Sequence, residues 1–445
     1  MRMSAHPLSP DWAAALAHLR DPATIRRRAT AVLAQVEAGA SPHFTLQRAA
    51  LPAVAERIAR LTRSRFPDLR IPYHSRWRHF EAGGVDRRAS LDAALDRALA
   101  GRSPDDRERR TARARIDLAL VSVLLDAGAG PDWTYHEADT TLRLGRSEGL
   151  ALASFAAFLA GRFSSDPADP LRVDAAALRA LSVADLAADF QVSASNPLVG
   201  LIGRVDLLHR LGEALAAQPH RFGVEGQPGR LFDVLVDVAG SGGAGPRAGA
   251  TIEAHAILGL LLDAFSAIWP SGQWVGPPGA DGLPGLPLGD VWPHPSAVLP
   301  GEASALHAGW QPFHKLSQWL SYSLLEPFEW AGCRVVGLDA LTGLPEYRNG
   351  GLLLDAGVLI PRDPAFAAAP RLPSDPWVIE WRALTVALLD ELAPLVRQVL
   401  GVSADQLPLA CMLEGGSWVA GRQIAAELRP GGPPPLQIAS DGTVF

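Results

Sequence analysis

The feature that most constrains the fold of this chain is its helical periodicity. Long stretches rich in Ala, Leu and Arg carry apolar residues at spacings of three and four, which is typical of helices with one buried face. Strand-like alternation is rare, and residues 333–338 are the best candidate. We therefore predict a mainly α-helical protein with few short strands. The predicted helices cover residues 11–20, 44–63, 90–100, 112–126, 174–190, 198–217, 250–268, 312–331 and 377–400.

Glycine and proline interrupt the helical pattern in a few segments. The longest, residues 270–301, is too long for an idle connection and is typical of a functional lid. It carries Trp274, Asp290, Trp292 and His294. Two further such segments are residues 239–249 and 361–376, and the tail 435–445 is predicted to pair weakly as a strand. The side chains that suit helix starts are Ser41 (followed by Pro42), Ser90, Asp174 and Ser182.

Length and composition bound the class of protein. The 445 residues can bury a large core, and 48% apolar with 20% charged residues fits a globular protein. We expect one unit over residues 1–445. A possible subdivision gives an N-terminal helical part, 1–240, and a C-terminal helical part, 250–445. The oligomeric state stays open.

The charge and the cysteine content exclude several classes of protein. A net charge of −6 provides no basic surface, so we expect no nucleic-acid partner. Two cysteines make no disulfide framework, the first residues carry no apolar signal segment, and no uncharged apolar run suits a membrane span. A glycine-rich nucleotide loop is also absent from the sequence. We therefore expect a cytoplasmic protein without a cofactor, away from membranes.

The rarest charged residue is lysine, because Lys315 is the single lysine among 41 basic side chains. An ammonium group is compact and titrates when buried, whereas a guanidinium stays charged, so a position that keeps lysine indicates a role that arginine cannot fill. The surrounding segment PFHKLSQWL (312–320), which includes His314, favours a functional role. A chance survivor on a solvated face is the alternative.

A second cluster, residues 73–87, concentrates ionisable side chains. Arginine offers bidentate donors to phosphate, and Gly83 and Gly84 let backbone amides approach an anion, so we predict a phosphate site. A solvated turn with ion pairs is the alternative. A metal site is disfavoured because His74 and His79 lack helical i, i+4 spacing and a third ligand. The candidate residues are Arg76, Arg78, His79, Asp86 and Arg87.

Two further segments carry polar residues at helix starts. Arg146 and Glu148 open an apolar helix, where they could contact a substrate or pair with each other. The segment 195–204, with Asn196 and Arg204, is interpreted as a structural helix start rather than a site.

The strongest constellation follows the lysine helix. The segment 338–351 is predicted to form a turn that presents Glu346, with glycines after it that permit close backbone contact with a ligand. A lysine on one helix and a carboxylate on the next element is similar to the layout of helix-hairpin-helix glycosylases, where a carboxylate faces an anomeric carbon. We predict that Glu346 and Lys315 converge on one pocket, within roughly 8 Å. A surface carboxylate is the alternative. Further candidate contacts are Tyr347, Arg348 and Asn349.

Several long motifs resemble a known family. They are HSRWRHFEAGG (74–84), LRLGRSEGLALASF (142–155), FSSDPADPLRVD (163–174), PFHKLSQWLSYSLLEP (312–327), GLPEYRNGGLL (343–353) and SDGTVF (440–445). The motifs are similar to those of the uracil-catabolism family of fungi and bacteria of the Urc-four/Urg-three type, over nearly the whole chain. The resemblance implies a role in a pathway that ribosylates uracil, opens its ring and finally releases urea.

The order of motifs also resembles that of the queuosine-salvage nucleosidases, which hydrolyse an N-glycosidic bond and have a helical fold like that of DNA glycosylases. This resemblance implies the same multi-helix fold, a catalytic carboxylate at Glu346 and an essential lysine at Lys315. It rests on FHKLSQ (313–318), EYRNGG (346–351) and EWRA (380–383). Two departures are Glu in place of Asp and Asn-Gly-Gly in place of Val-Pro-Gln, which suits a smaller, more polar leaving group such as urea.

These observations lead to one main hypothesis and two alternatives. We predict an N-glycoside hydrolase acting on a small ribosyl or ribose-phosphate substrate, namely ribosylurea or its 5-phosphate. Glu346 would stabilise the cationic anomeric centre, Lys315 would hold sugar hydroxyls or the carboxylate, and Arg348 with the arginines of 74–87 would hold phosphate. The alternatives are a Schiff-base lyase with Lys315 as the nucleophile and a non-catalytic partner of the pathway enzymes.

Overall fold

The prediction of a mainly α-helical protein is confirmed. The structure, a computed structural model, describes residues 10–126, 128–240, 249–269, 274–275 and 286–439. Its α-helices are α1 Pro10–Arg20, α2 Pro22–Glu37, α3 Leu51–Arg65, α4 Arg76–Phe80, α5 Arg87–Ala98, α6 Pro104–Leu124, α7 Arg146–Leu159, α8 Ala175–Ala180, α9 Val183–Asp189, α10 Leu201–Ala216, α11 Pro219–Phe222, α12 Leu231–Gly240, α13 Ala254–Phe265, α14 Lys315–Trp330, α15 Tyr347–Asp355, α16 Pro376–Leu400, α17 Leu409–Met412 and α18 Trp418–Leu428.

The described strands are short and pair two by two. Four of these pairs are antiparallel and one is parallel. The antiparallel pairs are β1 Phe44–Leu46 with β10 Leu359–Pro361, β2 Tyr135–His136 with β3 Arg143–Leu144, β5 Trp274–Val275 with β6 Leu286–Pro287, and β7 Val291–Pro293 with β8 Trp310–Pro312. The parallel pair is β4 Thr251–Glu253 with β9 Arg334–Val336, which confirms the predicted strand within 333–338.

The described chain divides into two compact units, each of several segments. The first unit contains the described residues of 1–73, 271–318 and 338–439, and the second contains those of 74–270 and 319–337. The chain thus enters each unit more than once. The subdivision of 1–445 into 1–240 and 250–445 stays a prediction.

The first unit is organised around α16. Every residue from Trp377 to Leu389 is buried, so this part of the helix is enclosed on all sides. The helices α2, α3 and α15 pack against it. Burying a large apolar side chain such as Leu384 contributes about 1.5–3 kcal/mol, and this burial holds the polar residues of α16 in fixed positions.

The second unit has α6 near its centre. The last turns of α6, from Ile116 to Leu124, are buried, and α7, α10 and α12 pack against the helix. One of the buried residues, Asp117, carries a carboxylate into this apolar environment.

Several predicted helix boundaries are wrong, for reasons of long-range pairing and local capping. Residues 44–46 form a strand instead of a helix, because they pair with β10. Ser41 starts no helix; its hydroxyl oxygen accepts the amides of His43 and Phe44. Asp86, rather than Ser90, caps α5.

Other local predictions hold. Asp174 and Ser182 cap helices as expected, although the predicted helix 174–190 is two helices, α8 and α9. In the tail, Ile438 bridges Arg371, while residues 440–445 lie outside the described part of the chain. Among the described helices, none combines the length and apolar character that crossing a bilayer requires.

Candidate active site

The lysine lies at the first position of α14, and the loop residue Asp290 fixes that helix start. The Asp290 Oδ2 atom accepts the amide N–H of Lys315 at 3.0 Å. The Asp290 carbonyl accepts the amides of Phe313 at 2.9 Å and His314 at 3.2 Å. One residue of the predicted lid segment 270–301 therefore satisfies three donors where the helix begins.

His314, directly before the lysine, has an unusual backbone conformation. Its φ of +48° lies in the left-handed region, which non-glycine residues rarely adopt. Its buried ring forms a hydrogen bond from Nε2 to the carbonyl oxygen of Leu19 at 2.9 Å, and burial lowers its pKa. The neutral ring therefore donates through Nε2, and both the ring and the Asp290 carbonyl hold the residue in this conformation.

Asp290 forms a buried ion pair with Arg382 of α16. Two hydrogen bonds, 2.8 and 2.7 Å long, join the guanidinium to the two carboxylate oxygens. The Trp292 indole donates a further bond at 2.7 Å. Burial by itself would raise the pKa of Asp290, but the Arg382 charge, its hydrogen bonds and the amide of Lys315 outweigh this effect and lower it. The carboxylate is therefore charged at neutral pH, and each of its two oxygens accepts two hydrogen bonds.

The same guanidinium reaches the turn that carries the predicted catalytic carboxylate. Arg382 Nε donates to the carbonyl of Pro345, the residue before Glu346, at 3.4 Å. The guanidinium also lies over the Phe313 ring, 4.0 Å from its centroid. The Asp290 carboxylate and the Arg382 guanidinium thus connect the start of α14 to the turn before α15.

Glu346 caps α15 through its side chain. Its Oε2 accepts the amide of Arg348 and its Oε1 accepts the amide of Asn349, both at 2.6 Å. A carboxylate at a helix N-terminus is stabilised by the unpaired amides and by the helix dipole. The carboxylate therefore has a fixed orientation, and the convergence of Glu346 and Lys315 on one pocket stays a prediction.

The three residues after Glu346 differ in their contacts. Asn349 is buried and bonds to the Leu344 carbonyl and to the Ser417 hydroxyl. Arg348 donates to the Gly432 carbonyl at 3.2 Å and lies over the Tyr347 ring. Tyr347, by contrast, is 38% exposed, which leaves it accessible to a ligand.

Glycines in and near α15 allow close helix packing. A Cβ atom added at Gly350 would lie 2.7 Å from the Trp381 ring, and one added at Gly421 of α18 would lie 2.2 Å from the Arg348 carbonyl oxygen. Close packing against α16 therefore explains a glycine in the Asn-Gly-Gly sequence at 349–351, in addition to the suggested effect on the leaving group.

In the second unit, Arg76 is the most deeply buried member of the 73–87 cluster. Its guanidinium lies 3.1 Å from Asp126 and donates to the Ser122 hydroxyl and to the Ser147 carbonyl. Its Nη2 atom is buried and has no hydrogen-bond acceptor among the described residues. Burial lowers its pKa, with the charges of Asp126 and Glu148 opposing that effect. An unsatisfied buried donor is compatible with the predicted anion site.

The other arginines of this cluster have carboxylate partners. Arg78 pairs with Glu326 at 2.7 Å, and Arg87 pairs with Glu137 through bonds of 2.7 and 2.5 Å. These contacts match the alternative of an ion-paired turn, so the phosphate role of the two arginines stays a prediction.

The remaining candidates of the second unit lie at helix starts or against an aromatic ring. Asp86 caps α5 through the amide of Ala89. The His79 ring packs edge-on against Trp319, with centroids 5.7 Å apart. Arg146 is the exposed first residue of α7 and has a φ of +55°.

Two groups of described residues have metal-ligand composition. In the first, nitrogen and oxygen atoms of His43, His294 and Glu380 lie within 4.8 Å of one another. However, His294 Nδ1 accepts the Ser296 amide at 3.3 Å, which puts the ring proton on Nε2, facing Glu380 at 3.6 Å. Burial lowers the pKa of His294 to about 4. This arrangement fits a neutral, hydrogen-bonded histidine better than a ligand, which needs a free lone pair.

The second group is His18, Glu302 and His307. The two imidazole rings are stacked, 4.0 Å apart, and each Nε2 lies 3.6–3.8 Å from one Glu302 oxygen. The other Glu302 oxygen bonds to the buried Arg28 at 2.9 Å. Nearly parallel rings do not direct both lone pairs at one point, so the group fits a metal poorly.

Sequence reasoning missed the pairing of Asp290 with Arg382. In the sequence, Asp290 stands out only as a polar residue of the long Gly/Pro segment, and Arg382 only as part of EWRA (380–383). The two residues are 92 positions apart. A charged residue within an otherwise apolar helix, such as Arg382 in α16, was the available signal, because a buried guanidinium requires a partner.

The fold and these contacts define a class of protein: a mainly α-helical protein in which one buried ion pair joins the start of a lysine-bearing helix to a glutamate-capped helix. The family described as "Protein of unknown function (DUF1688)" matches residues 18–445, and the chain belongs to this family. Uracil catabolism protein 4 of Lachancea kluyveri is 39% identical over 394 residues, covering 84% of this chain and 85% of the relative. Protein urg3 of Schizosaccharomyces pombe is 39% identical over 444 residues, covering 98% and 100%. The resemblance to the Urc-four/Urg-three family is confirmed.

Proposed function

We propose that this protein acts in uracil catabolism as an N-glycoside hydrolase that cleaves ribosylurea or its 5-phosphate and releases urea. The name of the Lachancea kluyveri relative supports the pathway. The observation that carries the reaction is the Asp290–Arg382 pair, because it binds both the start of the lysine helix and the turn before Glu346.

The proposed chemistry assigns roles to Glu346 and Lys315. Water attacks the anomeric carbon as the C–N bond breaks, Glu346 takes a proton from that water, and the leaving nitrogen gains a proton to give urea. The charged Glu346 carboxylate stabilises the positive charge that develops on the sugar. Its two amide bonds leave further lone pairs for a water molecule. Lys315 holds the sugar hydroxyls or orients Glu346.

A lyase remains the second candidate, on the strength of one observation. Lys315 is only partly exposed and follows the buried Phe313, and desolvation of an amine favours its neutral, nucleophilic form. In that reaction the amine condenses with a substrate carbonyl and releases water. The hydrolase is preferred because a carboxylate with a fixed orientation follows the lysine helix.

The test is product release from defined substrates. We expect the purified protein to release urea from ribosylurea or from its 5-phosphate, and to leave UMP intact. The Glu346→Gln variant serves as the control with strongly reduced activity. Release of uracil from UMP would assign a different leaving group, and no release from any of the three compounds by folded protein would overturn the proposal.

A further inference from the structure

We propose that the second unit carries a separate binding site for a phosphate group, outside the 73–87 cluster and independent of the proposed hydrolysis. The site is a cavity of about 110 Å³ formed by the end of α5, by α6 and by two loops, 163–174 and 223–230. The polar residues that line it are Arg110, Arg113, Arg172, Arg230, Gln227, Asp169 and Glu225.

Four guanidinium groups and two carboxylates line the cavity. Arg113 is closely paired with Asp233, a residue outside the lining, at 2.6 Å. Arg110 lies between Asp169, at 3.1 Å, and Asp106, at 3.3 Å. The charges of these two arginines are therefore balanced by carboxylates.

The other two arginines, Arg172 and Arg230, have N–H donors without a close acceptor. Arg172 lies 3.6 Å from Asp169 and 3.4 Å from Asp174, and Arg230 lies 3.5 Å from Glu225. Charge-assisted N–H···O bonds are normally about 2.7–2.9 Å long, so these contacts are loose. The Nε atoms of Arg172 and Arg230 are also buried and have no acceptor among the described residues. A tetrahedral oxyanion supplies the acceptors that these donors lack.

A buried carboxylate holds the two loops in place. Asp117 of α6 accepts the amide of Val173 at 3.1 Å, the amide of Gly229 at 2.6 Å and the side chain of Gln227 at 2.7 Å. Each loop supplies one of the loosely paired arginines, so Asp117 fixes their backbones before any ligand binds. Pre-organisation of this kind lowers the entropic cost of binding.

A glycine keeps the space around Arg230 open. Gly223 has a φ of +72°, and a Cβ atom added there would lie 2.7 Å from Arg230 Nε and 2.9 Å from Glu225. The motif FSSDPADPLRVD (163–174), which has no role in the proposed hydrolysis, supplies Arg172. Both observations favour a site over a chance gap.

Phosphate is the ligand class that fits best. Arginine forks bind phosphate oxygens in pairs, and a phosphate group offers more acceptor oxygens than a carboxylate to the buried Nε donors of Arg172 and Arg230. The small volume suits a phosphoryl group, either as free phosphate or as the end of a phosphate ester.

The experiment measures binding of inorganic phosphate and of ribose 5-phosphate to the full-length protein by calorimetry, at constant ionic strength set with chloride. We expect saturable phosphate binding that weakens at least tenfold in the double variant Arg172→Gln/Arg230→Gln. The matched control is Arg60→Gln/Arg143→Gln, which removes two exposed charges and should bind as the unmodified protein does. Tighter binding of ribose 5-phosphate than of phosphate, lost in the same variant, would identify an ester as the source.

A more conservative variant distinguishes loss of the binding site from misfolding of the protein. Arg172→Lys/Arg230→Lys keeps both charges but removes the guanidinium forks, so we expect weaker phosphate binding with unchanged circular dichroism. The inference is overturned if neither phosphate nor ribose 5-phosphate binds saturably, or if both double variants bind like the control.

Discussion

At the scale of the residue, Glu346 combines a structural and a proposed catalytic role. Glu346→Gln keeps the shape but loses the charge, and its amide can accept only one of the two backbone bonds. We expect turnover in urea release to fall about 10²-fold or more, because charge stabilisation is lost in the transition state. The KM should change less. Weaker capping should also lower the free energy of unfolding by about 1 kcal/mol.

The control for this variant changes a carboxylate that caps a different helix. Asp21 caps α2 by accepting the Ala23 amide at 3.0 Å. Asp21→Asn should lower stability slightly and leave turnover unchanged. Normal turnover in Glu346→Gln would show that Glu346 is a cap alone.

Lys315→Arg tests whether the single lysine has a positioned role. The substitution keeps the charge but changes size, geometry and pKa. Loss of a charge-assisted hydrogen bond costs about 1.5–3 kcal/mol, so we expect activity to fall by roughly 10- to 100-fold. Circular dichroism should show an unchanged fold. Full activity on the true substrate would mean that the lysine is a chance survivor.

His294 predicts a pH dependence of stability. Burial lowers its pKa from 6.5 to about 4, so the unfolded chain binds the proton at a higher pH than the folded one does. The stability that neutral His294 contributes is therefore complete above pH 6.5 and is lost as the pH falls toward 4. The loss amounts to roughly 3 kcal/mol. We expect the unfolding free energy of His294→Gln to depend less on pH over this range; equal slopes would contradict the assignment.

At the scale of the element, helix packing around α15 is the most sensitive feature. A Cβ at Gly421 would meet the Arg348 carbonyl of α15 at 2.2 Å, so Gly421→Ala must move one of the two helices. We expect this variant to lose about 1–3 kcal/mol of unfolding free energy, as overpacked cores do. Activity should fall as well, because α15 begins next to Glu346.

A second glycine provides the matched control. Gly259 lies within α13, and a Cβ added there meets no atom within 4 Å. Gly259→Ala should therefore stabilise the protein by about 0.5–1 kcal/mol through helix propensity. Thermal or urea unfolding of both variants measures the difference, and a stabilising Gly421→Ala would contradict the packing described for α15 and α18.

At the scale of the whole molecule, the single lysine makes the two enzyme hypotheses separable. Borohydride reduces a Schiff base to a stable amine, and in this chain only Lys315 and the N-terminal amine can form one. We expect no adduct on Lys315 after borohydride treatment with ribosylurea, because hydrolysis needs no covalent amine intermediate. Mass spectrometry checks this result, and a substrate-dependent adduct on Lys315 would favour the lyase.

Local patterns in the chain were enough to predict the helical class and the family. Helix propensity and apolar periodicity are local properties, so helices such as α10 and α16 could be predicted to within a few residues. Capping is local too, which explains the correct starts at Asp174 and Ser182. The lone lysine and the Glu346 turn also stood out without any structure, because rarity and motif length can be seen in the chain alone.

Which distant groups meet depends on long-range packing, and local patterns do not predict it. Asp290 and Arg382 are 92 positions apart, and Ser41 and Glu380 are 339 apart. Each residue alone suits several roles, and burial selects one, since a charge or hydroxyl removed from water must find a partner. For the same reason residues 44–46, with a helix-like pattern, became a strand against β10. Local pattern fixes what an element can be, and packing against remote segments fixes which side chains form the site.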